Sequence, residues 1–282
     1  MSAFRRQPGF VAPPQAVRRL AAGLVFLLGL VCFGPIAFAQ SFQSQAPFAV
    51  LLDSETGAVL YEKAADELMV PASMAKLATV LVAFQDITAG RLSLDSEISI
   101  SENAWRKGGA PSGGSAMFAI INSRIKLSDI LQGIIVQSGN DASIALAEAI
   151  AGDEPTFGRI MTERVRGLGL TKSVFRNATG MPDPQQRVTA RELALLADHI
   201  IKTYPELYKI FGQREFTWNK IRQQNRNPLL TMDIGADGLK TGNIDESGFG
   251  LVGSAVQNGQ RLIVVVNGIK TARDRATEAR KL

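Results

Sequence analysis

The spacing of apolar and polar positions changes along this chain, and each change marks an element. Phe48 to Asp53 and Ala58 to Lys63 are short apolar runs joined by Ser54-Glu55-Thr56-Gly57, the pattern of a β-hairpin. From Ser73 to Gly90 the period becomes helical, with Leu77, Val80, Leu81, Phe84 and Ile87 on one stripe and Gly90 as the stop. Met117 to Ile121, followed by Ser123 to Lys126, reads as strand, turn and strand. The rest of the middle third is mostly helical. Ser128 is expected to cap a segment running to Val136, Asp141 to Ala151 follows, and Thr189-Ala190-Arg191-Glu192 has the form of a capping box opening a helix toward Thr203. Beyond Ala236 strands return: Asp237 to Thr241, Gly248 to Val256 and Arg261 to Gly268, with Asn258-Gly259 a two-residue hairpin signal. Two strands in front and three behind predict an α/β protein of the α+β type, a five-stranded antiparallel sheet flanked by helices with a mostly helical insertion. Thr271 to Leu282 reads as a helix that stops without a cap, its apolar face barely begun at Ala276, Ala279 and Leu282, so the natural chain is expected to continue.

The first 39 residues do not fit this scheme. Arg5, Arg6, Arg18 and Arg19 precede a mostly apolar run from Leu20 to Phe38, and Ala37-Phe38-Ala39 supplies the small residues of a signal-peptidase site. The expectation is a cleaved leader, 1–39, and one exported domain, 40–282. An uncleaved anchor fits less well because Gly34-Pro35 interrupts the run, and Val31 before Cys32 is too large for a lipidation site. The leader changes the reading of composition. The 282 residues carry a formal charge of +5, one cysteine and one histidine. Four of the positive charges and the cysteine belong to the leader, which leaves a nearly neutral, thiol-free domain. A nucleic-acid partner is therefore not expected, and neither is a disulfide framework, a cysteine-rich zinc site or a centre needing two imidazoles.

Hydrolysis in such a domain rests on Ser, Lys, Asp or Glu. Ser73-Met74-Ala75-Lys76 offers a nucleophile with a base one helical turn away, close enough for the amine to reach the hydroxyl. Ser73 also falls at a helix start, where free N–H groups favour a developing oxyanion. Lys76 can act as a base only when neutral, which burial beside other cations arranges. Alone, S-x-x-K arises by chance about once in a chain of this length, and Ser123-Arg124-Ile125-Lys126 repeats it where i and i+3 share no face. S-x-N also occurs twice. Ser101-Glu102-Asn103 reads as a surface helix cap, whereas Ser138-Gly139-Asn140 falls between two helices and can point a hydroxyl and an amide inward. Lys240-Thr241-Gly242 occurs once, on an expected edge strand, offering a cation, a hydroxyl and a glycine that leaves room for substrate backbone.

S-x-x-K, S-x-N and K-T-G in this order form the signature of penicillin-binding proteins and serine β-lactamases. Longer stretches narrow the match: LLDSETGAVLYEKAADELMVPASMAKLATV, SENAWRKGGAPSGGSAMFAI, IIVQSGNDASIALAEAIAG, NRNPLL and DGLKTGNIDESGFGLVGSA. From about Phe48 to Leu282 the chain resembles the low-molecular-mass D-alanyl-D-alanine carboxypeptidases. The resemblance implies a β-lactamase/DD-peptidase-like fold and a periplasmic enzyme that trims peptidoglycan stem peptides and is acylated by β-lactams. It implies that Ser73 is acylated, Lys76 is its base, Ser138 relays a proton to the leaving amine, and Asn140 hydrogen-bonds the substrate amide. Arg226 of the N-R-N run would hold the terminal carboxylate, Lys240, Thr241 and Gly242 would line the opposite wall, and the backbone N–H groups of Ser73 and Asn243 would form the oxyanion hole. No metal or organic cofactor is implied. The family commonly carries K-T-G-H where this chain has Asn243. Its members often continue into a small β-domain and a membrane-lying helix, so membrane contact is expected only through such an extension.

A DD-endopeptidase of the same family and a non-catalytic muropeptide-binding protein are the alternatives. A class A β-lactamase would need a glutamate-bearing loop, and Asn177 to Arg187 contains none. His199, Trp105 and Trp218 read as structural residues, and Asp153 and Glu154 as solvated acids at a helix end.

Overall fold

β-Branched residues crowd the chain ends of the folded unit, and strands form there. The computed structural model describes residues 42–282, so the expected leader and its cleavage site lie outside the described residues. In chain order the strands are β1 (Phe48–Asp53), β2 (Val59–Lys63), β3 (Glu97–Ser99), β4 (Arg124–Lys126), β5 (Glu215–Trp218), β6 (Ile221–Gln224), β7 (Ala236–Ile244), β8 (Gly248–Gln257) and β9 (Gln260–Ile269). Five of them form one antiparallel sheet in the order β2-β1-β9-β8-β7, which leaves β7, the K-T-G strand, on an edge. β3 pairs with β4 and β5 with β6 as separate ribbons. Asn258 and Gly259 both take positive φ, 52° and 82°, the two-residue turn that their sequence predicts between Gln257 and Gln260.

The helices are α1 (Lys76–Thr88), α2 (Glu102–Gly108), α3 (Leu127–Ile135), α4 (Asn140–Ala151), α5 (Glu154–Arg166), α6 (Ala190–Thr203), α7 (Pro205–Tyr208) and α8 (Ala272–Lys281). Alternation along β9 divides the core. Ile263 and Val265 join Leu77, Leu81 and Phe84 of α1 on one face, while Val264 and Val266 join Leu251, Leu229 and Ala279 of α8 on the other. α1 is buried all round from Leu77 to Phe84 rather than along one stripe, because helices cover it on the side away from the sheet. Among the described residues no helix is long and apolar enough to cross a membrane.

Several local expectations change. Ser73 lies in a 3₁₀ turn, Ala72–Ala75, that leads into α1. Ser128 is inside α3 and caps nothing, since the helix begins at Leu127. Thr189 accepts the Glu192 amide, but the Glu192 carboxylate does not return to Thr189. It takes Lys172 N, Ser173 N and the Ser173 hydroxyl instead, tying a neighbouring loop to α6. Met117 to Ile121 forms no strand. Its amides bond to a side chain: Asp141, buried in the first turn of α4, accepts Met117 N at 2.9 Å, Ala119 N at 3.0 Å and Ala142 N at 2.9 Å. The carboxylate thus does for this segment what a partner strand would do.

Asp141→Ala leaves three buried amides without a partner at roughly 1–3 kcal/mol each. Equilibrium denaturation is expected to show a loss of about 3 kcal/mol or more, with Asp141→Asn, which retains one acceptor oxygen, falling between the mutant and the native protein.

Candidate active site

Three segments meet at the edge of the sheet. The nucleophile turn carries no side-chain cap, and neither does α4, whereas Ser101, Asp153, Thr189 and Thr271 cap α2, α5, α6 and α8 with their side chains. The N-termini bearing Ser73 and Asn140 are thus bare, as is that of α3. Ala72, just before Ser73, and Ser138 itself hold positive φ of 46° and 59°, a local cost that the surrounding packing supports. β7 closes in from the other side. A Cβ on Gly242 would lie 2.9 Å from the Pro71 carbonyl and 3.2 Å from Met74 Cγ. The K-T-G glycine therefore lines the cleft as expected, and its lack of a side chain also admits the protein's own nucleophile turn.

Lys76 is wholly excluded from solvent. Its Nζ lies 3.1 Å from Ser73 Oγ, 2.8 Å from Asn140 Oδ1 and 2.5 Å from the Thr179 carbonyl. Burial first, and the Arg226 cation second, pull this amine down to about 7 against the opposing fields of Glu154 and Asp141. A neutral amine has two N–H bonds and one lone pair. Asn140 Oδ1 and Thr179 O can accept only, so they take the two hydrogens, and the lone pair faces the one partner able to donate, the Ser73 hydroxyl. The contacts thus accommodate the neutral amine a general base needs, and equally an ammonium donating to all three oxygens. With its Oδ1 engaged, Asn140 leaves its Nδ2 beside Gly114 and the cleft.

Lys240 is also buried. It donates to Ser138 Oγ at 2.9 Å and to the Thr241 carbonyl at 3.3 Å. Burial and the cations of Lys76, Arg226 and Arg275 hold it well below the usual lysine range. Because Ser138 Oγ accepts from Lys240, its own proton is free to be donated elsewhere.

A cavity of about 440 Å³ opens over these groups, lined by Ser73, Ser138, Arg226, Thr241, Gly242 and Asn243 among others. Arg226 donates to Ser115 Oγ at 2.5 Å and enters none of the ion pairs found among the described residues. Ser115 is held in turn, its carbonyl accepting Asn140 N. Thr241 and Gly242 lie on the cleft wall, and Asn243, exposed, sits across β7–β8 from Phe249.

Two residues here are absent from the sequence motifs. Arg275 of α8 reaches the same cavity, 8% exposed, with its guanidinium over the Phe249 ring at 5.8 Å and Nε unbonded among the described residues. Its only sequence signal is an arginine in the early turns of a helix, where the dipole disfavours a cation. Glu154 is not the solvated acid expected. It is half-buried, accepts Ala178 N and is raised by desolvation, because α5 places it under the segment that meets Lys76. Asp153, its neighbour, is an exposed cap.

The remaining candidates stay apart from the cleft. Arg124 and Lys126 of the second S-x-x-K pair with Glu97 and Asp95 on a surface ribbon, and Ser101 caps α2. His199 contacts Thr203 and Tyr204. Trp218 stacks on Phe216, and Trp105 packs against the main core.

Residues 36–271 match the family model for D-alanyl-D-alanine carboxypeptidase. The chain is 41% identical to D-alanyl-D-alanine carboxypeptidase DacC of Escherichia coli K12 over 94% of its own length and 68% of that protein's. It spans 61% and 65% of the next two curated relatives, from Haemophilus influenzae and Salmonella typhimurium. Among solved structures, penicillin-binding protein 5 of H. influenzae superposes with a TM-score of 0.82 at 39% identity, over 86% of this chain and 70% of that one. Penicillin-binding protein D2 of Listeria monocytogenes, in its ampicillin-bound form, superposes with a TM-score of 0.72 at 27% identity, over 86% and 96%. With the fold, the three motifs and the family model in agreement, the chain belongs to the D-alanyl-D-alanine carboxypeptidase family.

Proposed function

We propose that this chain is a serine D-alanyl-D-alanine carboxypeptidase, exported behind the leader 1–39, whose domain 40–282 removes the terminal D-alanine from peptidoglycan stem peptides. The observation that carries the reading is the buried Lys76 amine, drawn down to about 7 and held between Ser73 Oγ, Asn140 Oδ1 and Thr179 O. Neutral Lys76 takes the Ser73 proton as Oγ attacks the carbonyl of the penultimate residue. Negative charge gathers on the carbonyl oxygen, toward the N–H groups of Ser73 and Asn243. Asn140 Nδ2 and the K-T-G strand hold the peptide from either side. The proton passes from Lys76 by way of Ser138 to the leaving nitrogen, the C–N bond breaks, and D-alanine departs. Water then repeats the sequence on the ester, giving its proton to the same relay and restoring Ser73.

Recognition of a chain end rests on charge. Arg226 and Arg275 line one cavity with Thr241 between strand and cleft, and a terminal carboxylate is the ligand such a set attracts. β-Lactams carry an equivalent carboxylate beside a strained amide, and on this reading they acylate Ser73. They should leave slowly. The group behind Lys76 is the Thr179 carbonyl, which cannot take a proton from water, and Glu154 is engaged with Ala178 N.

Incubated with a pentapeptide ending in D-alanyl-D-alanine, the protein is expected to release D-alanine, to stop when benzylpenicillin is added, and to carry a penicilloyl group on Ser73 by mass spectrometry. Neither release nor adduct would leave only muropeptide binding, and rapid penicillin turnover would indicate a β-lactamase. The base is the neutral form of Lys76, so acylation should fall about tenfold per pH unit below about 7. Arg226→Gln removes a cation that depresses Lys76. It should move that limb to higher pH and raise KM about tenfold or more for peptides with a free terminal carboxylate, with little change for C-terminally amidated ones; pH-dependent steady-state kinetics on both peptides tests this.

A further inference from the structure

One carboxylate outside the three motifs has a continuous path to the general base. Glu154 opens α5, and its Oε1 accepts the Ala178 amide at 3.2 Å. The Ala178 carbonyl accepts the Thr79 hydroxyl of α1 at 2.8 Å, and the next carbonyl, of Thr179, takes the Lys76 amine. Within the segment, Asn177 Oδ1 gathers Thr179 N, Thr179 Oγ1 and Gly180 N, which makes Asn177 to Gly180 a closed turn. That turn is pressed against the nucleophile. Gly180 has φ of 82°, and a Cβ on it would stand 1.9 Å from the Ala72 carbonyl. Ala178 is thus fastened on one side by Thr79, one turn along α1 from Lys76, and on the other by Glu154.

Charge follows the same path. The charged groups acting on Lys76 are Arg226 on the cleft side, which depresses it, and Glu154 and Asp141, which oppose it; Lys240, on the same side, is itself depressed by Lys76. Asp141 spends both oxygens on backbone amides. Glu154 is faced by Lys107 from α2 and Glu148 from α4, with Asp153, Arg176 and Asp183 around the adjoining cavity. A second cavity, of about 280 Å³, lies between Glu154, Lys107, Asn177, Thr179 and Met181, so this carboxylate keeps a polar outlet while its neighbours bury it.

We propose that Glu154 is a positioning residue of the serine-lysine pair: through the Ala178 amide it sets where the Thr179 carbonyl meets Lys76, and its negative charge opposes that of Arg226 across the amine. It touches neither substrate nor Ser73 and acts only through Lys76. The inference rests on the reading of Lys76 as general base.

The test is the second-order rate of Ser73 acylation by a fluorescent penicillin, followed against pH. Glu154→Gln keeps an acceptor for Ala178 N and loses the charge. Its high-pH plateau should stay within about twofold of the native protein while the acid limb moves to lower pH by a few tenths of a unit or more, because Lys76 loses a stabilising anion. Glu154→Asp, which keeps the charge, should bring the limb back toward the native position. Glu154→Ala loses both functions and should combine the displaced limb with a plateau several-fold below that of Glu154→Gln. A Glu154→Gln limb that coincides with the native one overturns the electrostatic role. Equal plateaus for the Gln and Ala variants overturn the positioning role. A drop in plateau and melting temperature shared by the Gln, Asp and Ala variants, with no displaced limb, makes Glu154 structural only. Native protein that forms no adduct at any pH removes the general-base reading itself, a result distinct from all of these.

Discussion

Everything in this cleft depends on keeping one lysine amine out of water. Burial in a low-dielectric surrounding disfavours the ammonium, and it is the first cause of the fall of Lys76 to about 7. The architecture supplies that burial. Lys76 begins α1, a helix with no solvent-facing side from Leu77 to Phe84, so its side chain emerges inside the protein and not at its rim. The remaining openings are closed by three carbonyl or hydroxyl oxygens, from Ser73, Asn140 and Thr179, each from a different segment. The fold can be read as the scaffold that brings these segments together around the start of α1.

Such convergence is costly locally, and the costs lie where the segments touch. Ala72 and Ser138 take left-handed backbone, Gly242 lets β7 approach Pro71, and Gly180 lets a loop lie against Ala72. β7 meets the nucleophile turn through Gly242, and the inner strand β8 meets it through Gly250 beside Met74, while β7 keeps its outer edge free. The free edge also leaves the backbone beside Thr241 and Asn243 open to an extended peptide, the mode by which sheet edges recognise chains. The same topology thus builds the catalytic contact and the binding surface.

What could be read in the sequence was whatever depends on near neighbours. Strand and helix periods placed β1, α1, α6, β8 and β9 within a few residues, and Asn258-Gly259 marked its turn, since these are local packing and backbone effects. The motif residues were legible because helix spacing and loop position constrain Ser73, Lys76, Ser138 and Lys240 tightly. What failed was long-range. Nothing near Met117 announces that Asp141 will take its amide, nothing near Glu192 that its carboxylate will bond to Lys172 and Ser173, and nothing in the ARDRATEARKL run that Arg275 enters the cleft. Glu154 read as solvated because the first turn of a helix is commonly exposed, and only the path of residues 177–180 over it reverses that.

The scarcity of histidine then acquires a physical sense. The sole imidazole, His199, lies on α6 against Tyr204, so titration near neutrality falls to Lys76, drawn down by burial and by Arg226. A site tuned in this way also suits an anion, because Arg226 and Arg275 line one cavity with no acid in its wall, and Lys76 and Lys240 bond to two of its wall residues, Ser73 and Ser138. The two properties are linked. On the proposed reading, a carboxylate seated beside Arg226 screens the cation that holds Lys76 down, so binding of a chain end and the proton affinity of the base are coupled through one electrostatic field.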